Sequence, residues 1–301
     1  MNGLDWIAVD WGTSSLRAWA MGRDGTVLAE ASSADGMGGL APEGFEAALL
    51  ALVERWLPVS GKVPVVACGM VGAREGWADA GYHPVPAAPL ARGCVRAEAR
   101  DPRLEVRIQG GLSQSRPLDV MRGEETQIAG YLASGGTGEV VVLPGTHTKW
   151  VELRDGEVFH FSTSMTGELF ALLAQRSVLR HAVEMGGDDT VAFSEGFEEA
   201  LARPERVASL LFGVRATALL AGVGPAALGA RLSGLLLGIE FAATRPYWLG
   251  RRVALVAGGP LAKRYLAAMD LVGLAPDCVD PEATVLSGLR AARTGIREGA
   301  A

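Results

Sequence analysis

The stretch Ile7-Ala8-Val9-Asp10-Trp11-Gly12-Thr13-Ser14-Ser15 decides how the rest of the chain is read. An apolar strand ends on a carboxylate, a turn of small hydrogen-bonding residues follows, and Leu16 to Met21 reads as the returning strand. A Gly-Arg-Asp-Gly turn at 22–25 then leads to a third strand over Thr26 to Glu30. The same order of parts recurs later. Val140-Val141-Val142-Leu143 precedes Gly145-Thr146-His147-Thr148, and Lys149 to Leu153, an Arg-Asp-Gly turn at 154–156 and Glu157 to Phe161 complete the copy. Laid over each other, 7–13 meets 140–146 without a gap, which implies a duplicated domain rather than a solenoid.

Other segments fill in around the two meanders. Pro42-Glu43-Gly44-Phe45 opens an amphipathic run to Leu57, while Val63 to Cys68 and Leu104 to Ile108 read as buried strands. The Pro-, Ala- and Gly-rich segment 76–102 reads as irregular surface. Beyond residue 165 the pattern turns helical, over Glu168–Leu179, Glu195–Ala202, Glu205–Ala221, Ala226–Ala243, Leu261–Val272 and Glu282–Ile296. One strand, Val253 to Ala257, interrupts it before Gly258-Gly259-Pro260. Strands followed by helices place the chain in the α/β class with two sheet domains.

Bulk properties narrow the function. With 301 residues, 49% of them hydrophobic and 21% charged, the chain is long enough for two cores with a cleft between them. The expected division is 1–110 and 111–301, with the last helix packing back on the first part. Against 34 acidic residues stand 28 Lys and Arg, a net charge of -6, and no basic stripe follows a phosphate backbone, so nucleic acid is not an expected partner. The apolar stretch between Arg215 and Arg231 is short of a membrane span and broken by Pro225, and the N-terminus lacks a basic region ahead of an apolar one. Neither membrane nor secretion is expected, and the cytoplasm is the default compartment. Cys68, Cys94 and Cys278 lie far apart and read as reduced thiols, and the four histidines show no metal-ligand spacing.

Chemistry concentrates at the two turns. A carboxylate at Asp10, beside backbone N–H groups of Gly12, Thr13 and Ser14, suits a hydrated Mg2+ and phosphoryl oxygens, although an Asp at a turn also bonds its own backbone. The second turn has Leu143 where the first has Asp10 but adds His147 and Lys149, as a cationic phosphate clamp would. Gly258-Gly259-Pro260 permits close approach to a flat ring, or is an ordinary strand-to-helix turn. Glu124 and Glu125 start a helix, where acids are favourable in any case, or supply a general base. P-loop, dinucleotide, α/β-hydrolase and zincin signatures are absent.

Taken together, Ile7 to Glu30, Pro144 to Leu153 and Val253 to Lys263 resemble the two phosphate motifs and the adenosine motif of the actin, hexokinase and heat-shock ATPase superfamily. More narrowly, five blocks look like the 2-dehydro-3-deoxygalactonokinase family. They are Ala8 to Ser14, Cys68-Gly69-Met70-Val71-Gly72-Ala73-Arg74-Glu75-Gly76-Trp77, Met121 to Gln127, Pro144 to Trp150 and Ser164-Met165-Thr166-Gly167-Glu168. The resemblance implies two ribonuclease-H-like domains closing on ATP and Mg2+, and transfer of the γ-phosphoryl to the 6-hydroxyl of 2-dehydro-3-deoxy-D-galactonate. Under it, Asp10 takes the metal, and Gly12, Thr13, Ser14, Gly145, Thr146, His147, Thr148 and Lys149 take the phosphates. Gly258, Gly259, Pro260 and Lys263 take the nucleoside. Glu125 is the base, with Glu124 its rival, on a looser likeness to the Gly-Glu-Glu stretch of exopolyphosphatase-type members. Arg74, then Arg17, faces the substrate carboxylate. Ser15, Gly69, Met70, Gly72, Ser164, Met165 and Thr166 complete the sugar-acid side, the 164–168 loop either closing over the sugar or capping a helix. Trp77 is expected to pack. The expected partner is a small sugar acid, and a homodimer is left open.

Overall fold

The computed structural model describes residues 1–299. Contacts group the chain into two compact units. The first holds Met1–Thr137, Arg154–His160 and the chain from Pro281 on, and the second holds Gly138–Leu153 and Phe161–Asp280.

In the first unit, β1 (Leu4–Trp11), β2 (Leu16–Gly22) and β3 (Val27–Ser33) form the meander read from the sequence, followed by α1 (Phe45–Val53) and β4 (Val63–Gly69). Next come β5 (Tyr82–Pro84), β6 (Cys94–Ala97), β7 (Leu104–Gln109), the hairpin β8 (Gly111–Ser115) and β9 (Leu118–Met121), and α2 (Glu124–Ala133). The main sheet runs β3-β2-β1-β4-β7-β6. β1 pairs antiparallel with β2 and parallel with β4, and β4 pairs parallel with β7. One face buries Ile7, Val9, Val65 and Val106 against Phe45 and Leu49 of α1.

The second unit repeats this plan. β10 (Val140–Leu143), β11 (Thr148–Arg154) and β12 (Glu157–Ser164) are its meander. Helices follow as α3 (Thr166–Arg176), α4 (Thr190–Ala202), α5 (Val207–Leu220), α6 (Pro225–Ala243) and the short α7 (Arg245–Trp248). Then come β13 (Val253–Val256), α8 (Gly259–Leu271) and β14 (Asp277–Val279), after which α9 (Pro281–Arg297) belongs again to the first unit. The sheet runs β12-β11-β10-β13-β14, with β10 antiparallel to β11 and parallel to β13. Strand for strand this is the β3-β2-β1-β4-β7 order of the first sheet. The duplication legible in two Gly-Thr turns is thus a duplication of topology.

Three features differ from the sequence reading. Segment 76–102 contains two short strands, because β5 and β6 pair along β8 and β7 despite their Pro- and Gly-rich surroundings. The β8–β9 hairpin and β14 are short and polar, with little apolar alternation to reveal them. The first unit also runs on to Thr137 rather than to residue 110, since α2 packs on α9, which itself covers the second face of the first sheet through Val285 and Leu289.

That helix pair depends on two glycines. A Cβ at Gly130 would lie 1.8 Å from the Thr284 carbonyl oxygen, and one at Gly288 would lie 1.9 Å from the Thr126 carbonyl oxygen. The two backbones therefore touch. In the second unit α6 is, among the described residues, the one helix long and apolar enough to cross a membrane by length and composition. The sequence reading bounded its apolar stretch at Arg215 and Arg231 and saw it broken by Pro225, whereas the helix starts at Pro225 and runs through Arg231. Most of α6 is buried, with Leu228, Leu232, Leu235, Leu237 and Phe241 in the core, so its apolarity is accounted for inside the unit.

Gly288→Ala is expected to cost about 1–3 kcal/mol or more, as overpacking of a closed contact does. Urea unfolding of the variant against the parent protein measures it. An unchanged midpoint would mean that α9 does not approach α2 this closely.

Candidate active site

The end of β1 organises the first unit's polar cluster. Register sets Asp10 opposite Arg17 on β2 and beside Cys68 on β4. Arg17 Nη2 donates to Asp10 Oδ2 at 2.6 Å and its Nη1 lies 3.6 Å from Glu282 Oε2. The Cys68 thiol donates to Asp10 Oδ1 at 3.9 Å and is in hydrogen-bond contact with Thr126. Thr126 Oγ1 in turn donates to Glu125 Oε1 at 2.9 Å. Two residues chosen from sequence, Asp10 and Glu125, are thereby joined through a buried thiol and a buried hydroxyl. Burial, reinforced by Asp10 and Glu125, holds the Cys68 thiol well above its ordinary range.

The turns around this cluster are packed backbone to backbone. Gly69 has φ +90°, and a Cβ there would meet the Trp11 carbonyl oxygen at 2.6 Å, so only glycine fits where β4 ends beside β1. The Gly12–Ser15 turn closes on itself and is braced from 37–38, where Met37 N–H donates to Gly12 and Gly38 N–H to Thr13. Thr13, Ser14 and Ser15 remain exposed. Trp77 packs edge-on against Trp11, with its Nε1 on the Glu98 carbonyl, so it serves the core.

The two glutamates are placed differently. Glu125 is 0% exposed, accepts from the Gly123 N–H at 2.7 Å, and is pushed up to about 8, first by burial and then by the Glu124 charge. Glu124 is partly exposed and accepts from the Arg122 N–H at 3.0 Å. Among the arginines, Arg74 is exposed, whereas Arg17 already bridges two carboxylates. Met70 is partly buried and Gly72 is buried under the turn that follows β4. Sequence reasoning passed over Arg122. It is 8% exposed and stacked 4.3 Å over Tyr82, and its Nε and Nη1 have no hydrogen-bond partner. Its only signal was a position beside the Gly-Glu-Glu stretch.

In the second unit a cavity of about 470 Å³ is lined by Gly145, Pro260 and Lys263, three residues chosen from sequence, together with Phe170, Leu236 and Tyr265. A largely apolar concavity with a few polar groups at one end is what a nucleoside needs. Gly258 and Gly259 form the exposed start of α8, and Gly259 has φ +60°. Arg264 of α8 stacks 5.4 Å from Phe193 and bonds the Gly187 carbonyl, which ties the 186–188 loop to that helix.

The second Gly-Thr turn departs from a simple cationic clamp. Thr146 and His147 are exposed, but His147 Nε2 lies 2.5 Å from Glu168 Oε2. Lys149 is 5% exposed and donates to Thr163 Oγ1 at 2.9 Å on the neighbouring strand. Thr148 is buried with its hydroxyl 2.6 Å from the Tyr265 hydroxyl. The open donors of this turn are therefore its backbone groups and the exposed Thr146 hydroxyl. Ser164 is half-buried and Met165 exposed, while the Thr166 hydroxyl points inward to Glu240. Glu240 and Tyr265 were not singled out beforehand, although a lone Glu inside Leu235-Leu236-Leu237-Gly238-Ile239-Glu240-Phe241 is the sequence mark of a buried, bonded carboxyl.

No cluster of three or more His, Cys, Asp or Glu suited to a metal occurs among the described residues. Asp10, with its side chain 22% exposed at a turn of free hydroxyls, fits Mg2+ of the kind held by one carboxylate, water and phosphate oxygens.

A duplicated mixed sheet with a Gly-Thr turn at the end of each first strand is the fold of the actin- and hexokinase-type class. The chain belongs to the 2-keto-3-deoxy-galactonokinase family, whose model matches residues 10–292. It is 35% identical to the 2-dehydro-3-deoxygalactonokinase of Escherichia coli (strain K12), over 97% of this chain and 96% of that one. It is 45% identical to DgoK1 of Rhizobium meliloti (strain 1021), a protein named as a candidate for the same activity, over 97% of both chains. A crystal structure of a candidate 2-dehydro-3-deoxygalactonokinase from Sinorhizobium meliloti matches with TM-score 0.87 at 41% identity, covering 97% of this chain and 99% of that one. The fold is also that of component A of the (R)-2-hydroxyglutaryl-CoA dehydratase of Acidaminococcus fermentans, at TM-score 0.53 and 10% identity, covering 97% and 98%.

Glu125 binds its proton more tightly in the folded chain, near pH 8, than at the ordinary 4.5 of an unfolded one. Its contribution is therefore greatest below pH 4.5 and is lost as the pH rises to about 8. Glu125→Gln is expected to flatten the fall in Tm across that window, as read by thermal melts at stepped pH. A parallel fall in both proteins would show that Glu125 is ionised throughout.

Proposed function

We propose that this chain is a sugar-acid kinase that transfers the γ-phosphoryl of ATP to the 6-hydroxyl of 2-dehydro-3-deoxy-D-galactonate. The observation that carries the reading is membership of the family over residues 10–292, with full-length relatives that bear this activity in their names. The first unit supports it by joining Asp10 to Glu125, and the second by gathering Gly145, Pro260 and Lys263 round one cavity. Its proposed setting is the breakdown of galactonate in the cytoplasm.

Bound ATP supplies the phosphoryl group and its activation, and little covalent work is left to the protein. Gly145, Gly258, Gly259, Pro260 and Lys263 seat the nucleoside side. The backbone N–H groups of Thr13 and Ser14 and of Gly145–His147 hold phosphoryl oxygens, with the Thr13, Ser14 and Thr146 hydroxyls beside them, while the Gly12 N–H closes its own turn on Ser15. Asp10 would hold Mg2+, and Arg17 fixes that carboxylate through Oδ2. The buried Lys149 adds positive charge behind its turn rather than direct contact, and Thr148 steadies the same strand.

A base must touch the hydroxyl it deprotonates. Glu125 is enclosed, so Glu124, the partly exposed member of the pair, is assigned to take the proton of the 6-hydroxyl. Glu125 then holds the Gly123 N–H and fixes the start of α2. Arg74 faces the substrate carboxylate across the exposed turn after β4, with Ser15, Gly69, Met70 and Gly72 forming that side. Ser164 and Met165 are assigned to the sugar-acid side. Whether the chain works alone or as a homodimer does not enter these roles.

ADP release in a coupled assay with ATP and Mg2+ tests the reading, with 2-dehydro-3-deoxygalactonate and the gluconate epimer run side by side. Turnover of the galactonate form that vanishes in Asp10→Asn is expected. Turnover of the epimer alone would keep the kinase and replace the substrate. Glu124→Gln is expected to lower kcat by about 10²–10⁴-fold, the usual worth of a positioned base. A larger loss in Glu125→Gln than in Glu124→Gln would reverse their roles.

A further inference from the structure

Glu240 is a buried carboxyl that the proposed transfer does not use. It sits on α6 at 3% exposure. Trp150 Nε1 donates to its Oε1 at 2.8 Å, the Tyr265 hydroxyl lies 3.0 Å from both of its oxygens, and the Thr166 hydroxyl donates to Oε2. Tyr265 has a single proton. With that proton on the carboxylate, the Thr148 hydroxyl at 2.6 Å donates to the Tyr265 oxygen and extends the network by one bond.

The donors come from three different places. Thr148 and Trp150 belong to β11, just after the second Gly-Thr turn, Thr166 is the first residue of α3, and Tyr265 lies on α8. Thr166 and Tyr265 are also part of the wall of the second unit's cavity, which Gly145 and Lys263 share. A carboxyl in this position is costly for stability alone, since an apolar side chain of similar size commonly serves a core as well or better. Burial pushes Glu240 up to about 7 while the converging donors pull the other way, so the carboxyl is held by its bonds and not by solvent. Three donor protons, from Trp150, Thr166 and Tyr265, converge on its two oxygens and both oxygens accept, as a carboxylate's can and as a carboxamide, with a donating NH2 at one end, cannot.

We infer that Glu240 is a positioning residue of the nucleotide cavity, a single carboxylate that sets the spacing of the second Gly-Thr turn, the start of α3 and α8. The inference rests on the reading of that cavity as the nucleotide site. Glu240 touches no substrate in this role and acts through Thr148, Thr166 and Tyr265.

The test uses the full chain, with Glu240→Gln, Tyr265→Phe and the double variant. Mg-ADP binding is measured by calorimetry, KM for ATP and kcat by the coupled assay, and folding by cooperative thermal melts. Loss of a charged acceptor from buried donors is expected to raise the ADP Kd and the ATP KM by about tenfold in Glu240→Gln. Tyr265→Phe should raise them less, and the double variant by less than the product of the two, because both changes break one network. At saturating ATP, kcat should fall by a smaller factor than KM rises. Variants that melt cooperatively yet keep the parent's ADP Kd and ATP KM would leave Glu240 a core residue and overturn the inference. Should Glu240→Gln fail to fold, the nearly isosteric Tyr265→Phe decides on the same readouts. A parent protein that binds no nucleotide would overturn the cavity reading itself, and the parent arm alone reveals that.

Discussion

The pairing of β1 with β2 on one side and β4 on the other is the constraint from which the first unit's site hangs. Antiparallel register on one edge and parallel register on the other leave Asp10 no freedom of placement, with Arg17 across the hairpin and Cys68 alongside. Gly69 lets β4 end in contact with the Trp11 carbonyl, and Gly123 is admitted close to Gly69, where a Cβ on it would lie 3.3 Å from the Gly69 Cα. A side chain at Gly69 would separate the strand ends and move Glu125 away from Asp10. The polar cluster is thus a consequence of backbone proximity, which is why its members come from segments as distant as β1 and α2.

The second unit uses the same topology for a different purpose. Its β10–β11 hairpin sets Leu143 opposite Lys149 where the first sets Asp10 opposite Arg17. Without an acid at that position the strand ends do not gather round a charge, and the organising group is Glu240, brought in from α6. The long helical insertion between β12 and β13 supplies both that carboxyl and the apolar wall of the cavity. One copy of the plan presents a carboxylate at its turn, and the other presents backbone donors beside a nucleoside-sized space.

Partnering inside each unit explains why charged side chains picked by type did not all end as open groups. Arg17, His147 and Lys149 are each bonded to Asp10, Glu168 and Thr163 respectively. What remains open at both turns is backbone N–H and short hydroxyls, which is the chemistry of phosphate cradles more than of ion pairs.

Local sequence determined a good deal. Apolar runs ending in Gly-Thr turns, with an Asp-Gly hairpin turn following each within about a dozen residues, set both meanders and their duplication, because strand alternation and turn chemistry act over a few residues. The placement of Asp10, Gly145 and Pro260 at strand or helix ends follows for the same reason, since their neighbours impose the geometry there. Only the tertiary structure decided that Glu125 is enclosed and Glu124 is not, since a one-residue step round a helix separates interior from surface. Only it joined Glu240 to Thr148, Thr166 and Tyr265, and extended the first unit to Thr137. Those outcomes depend on which helix meets which sheet, and that is settled by packing between segments that share no local pattern.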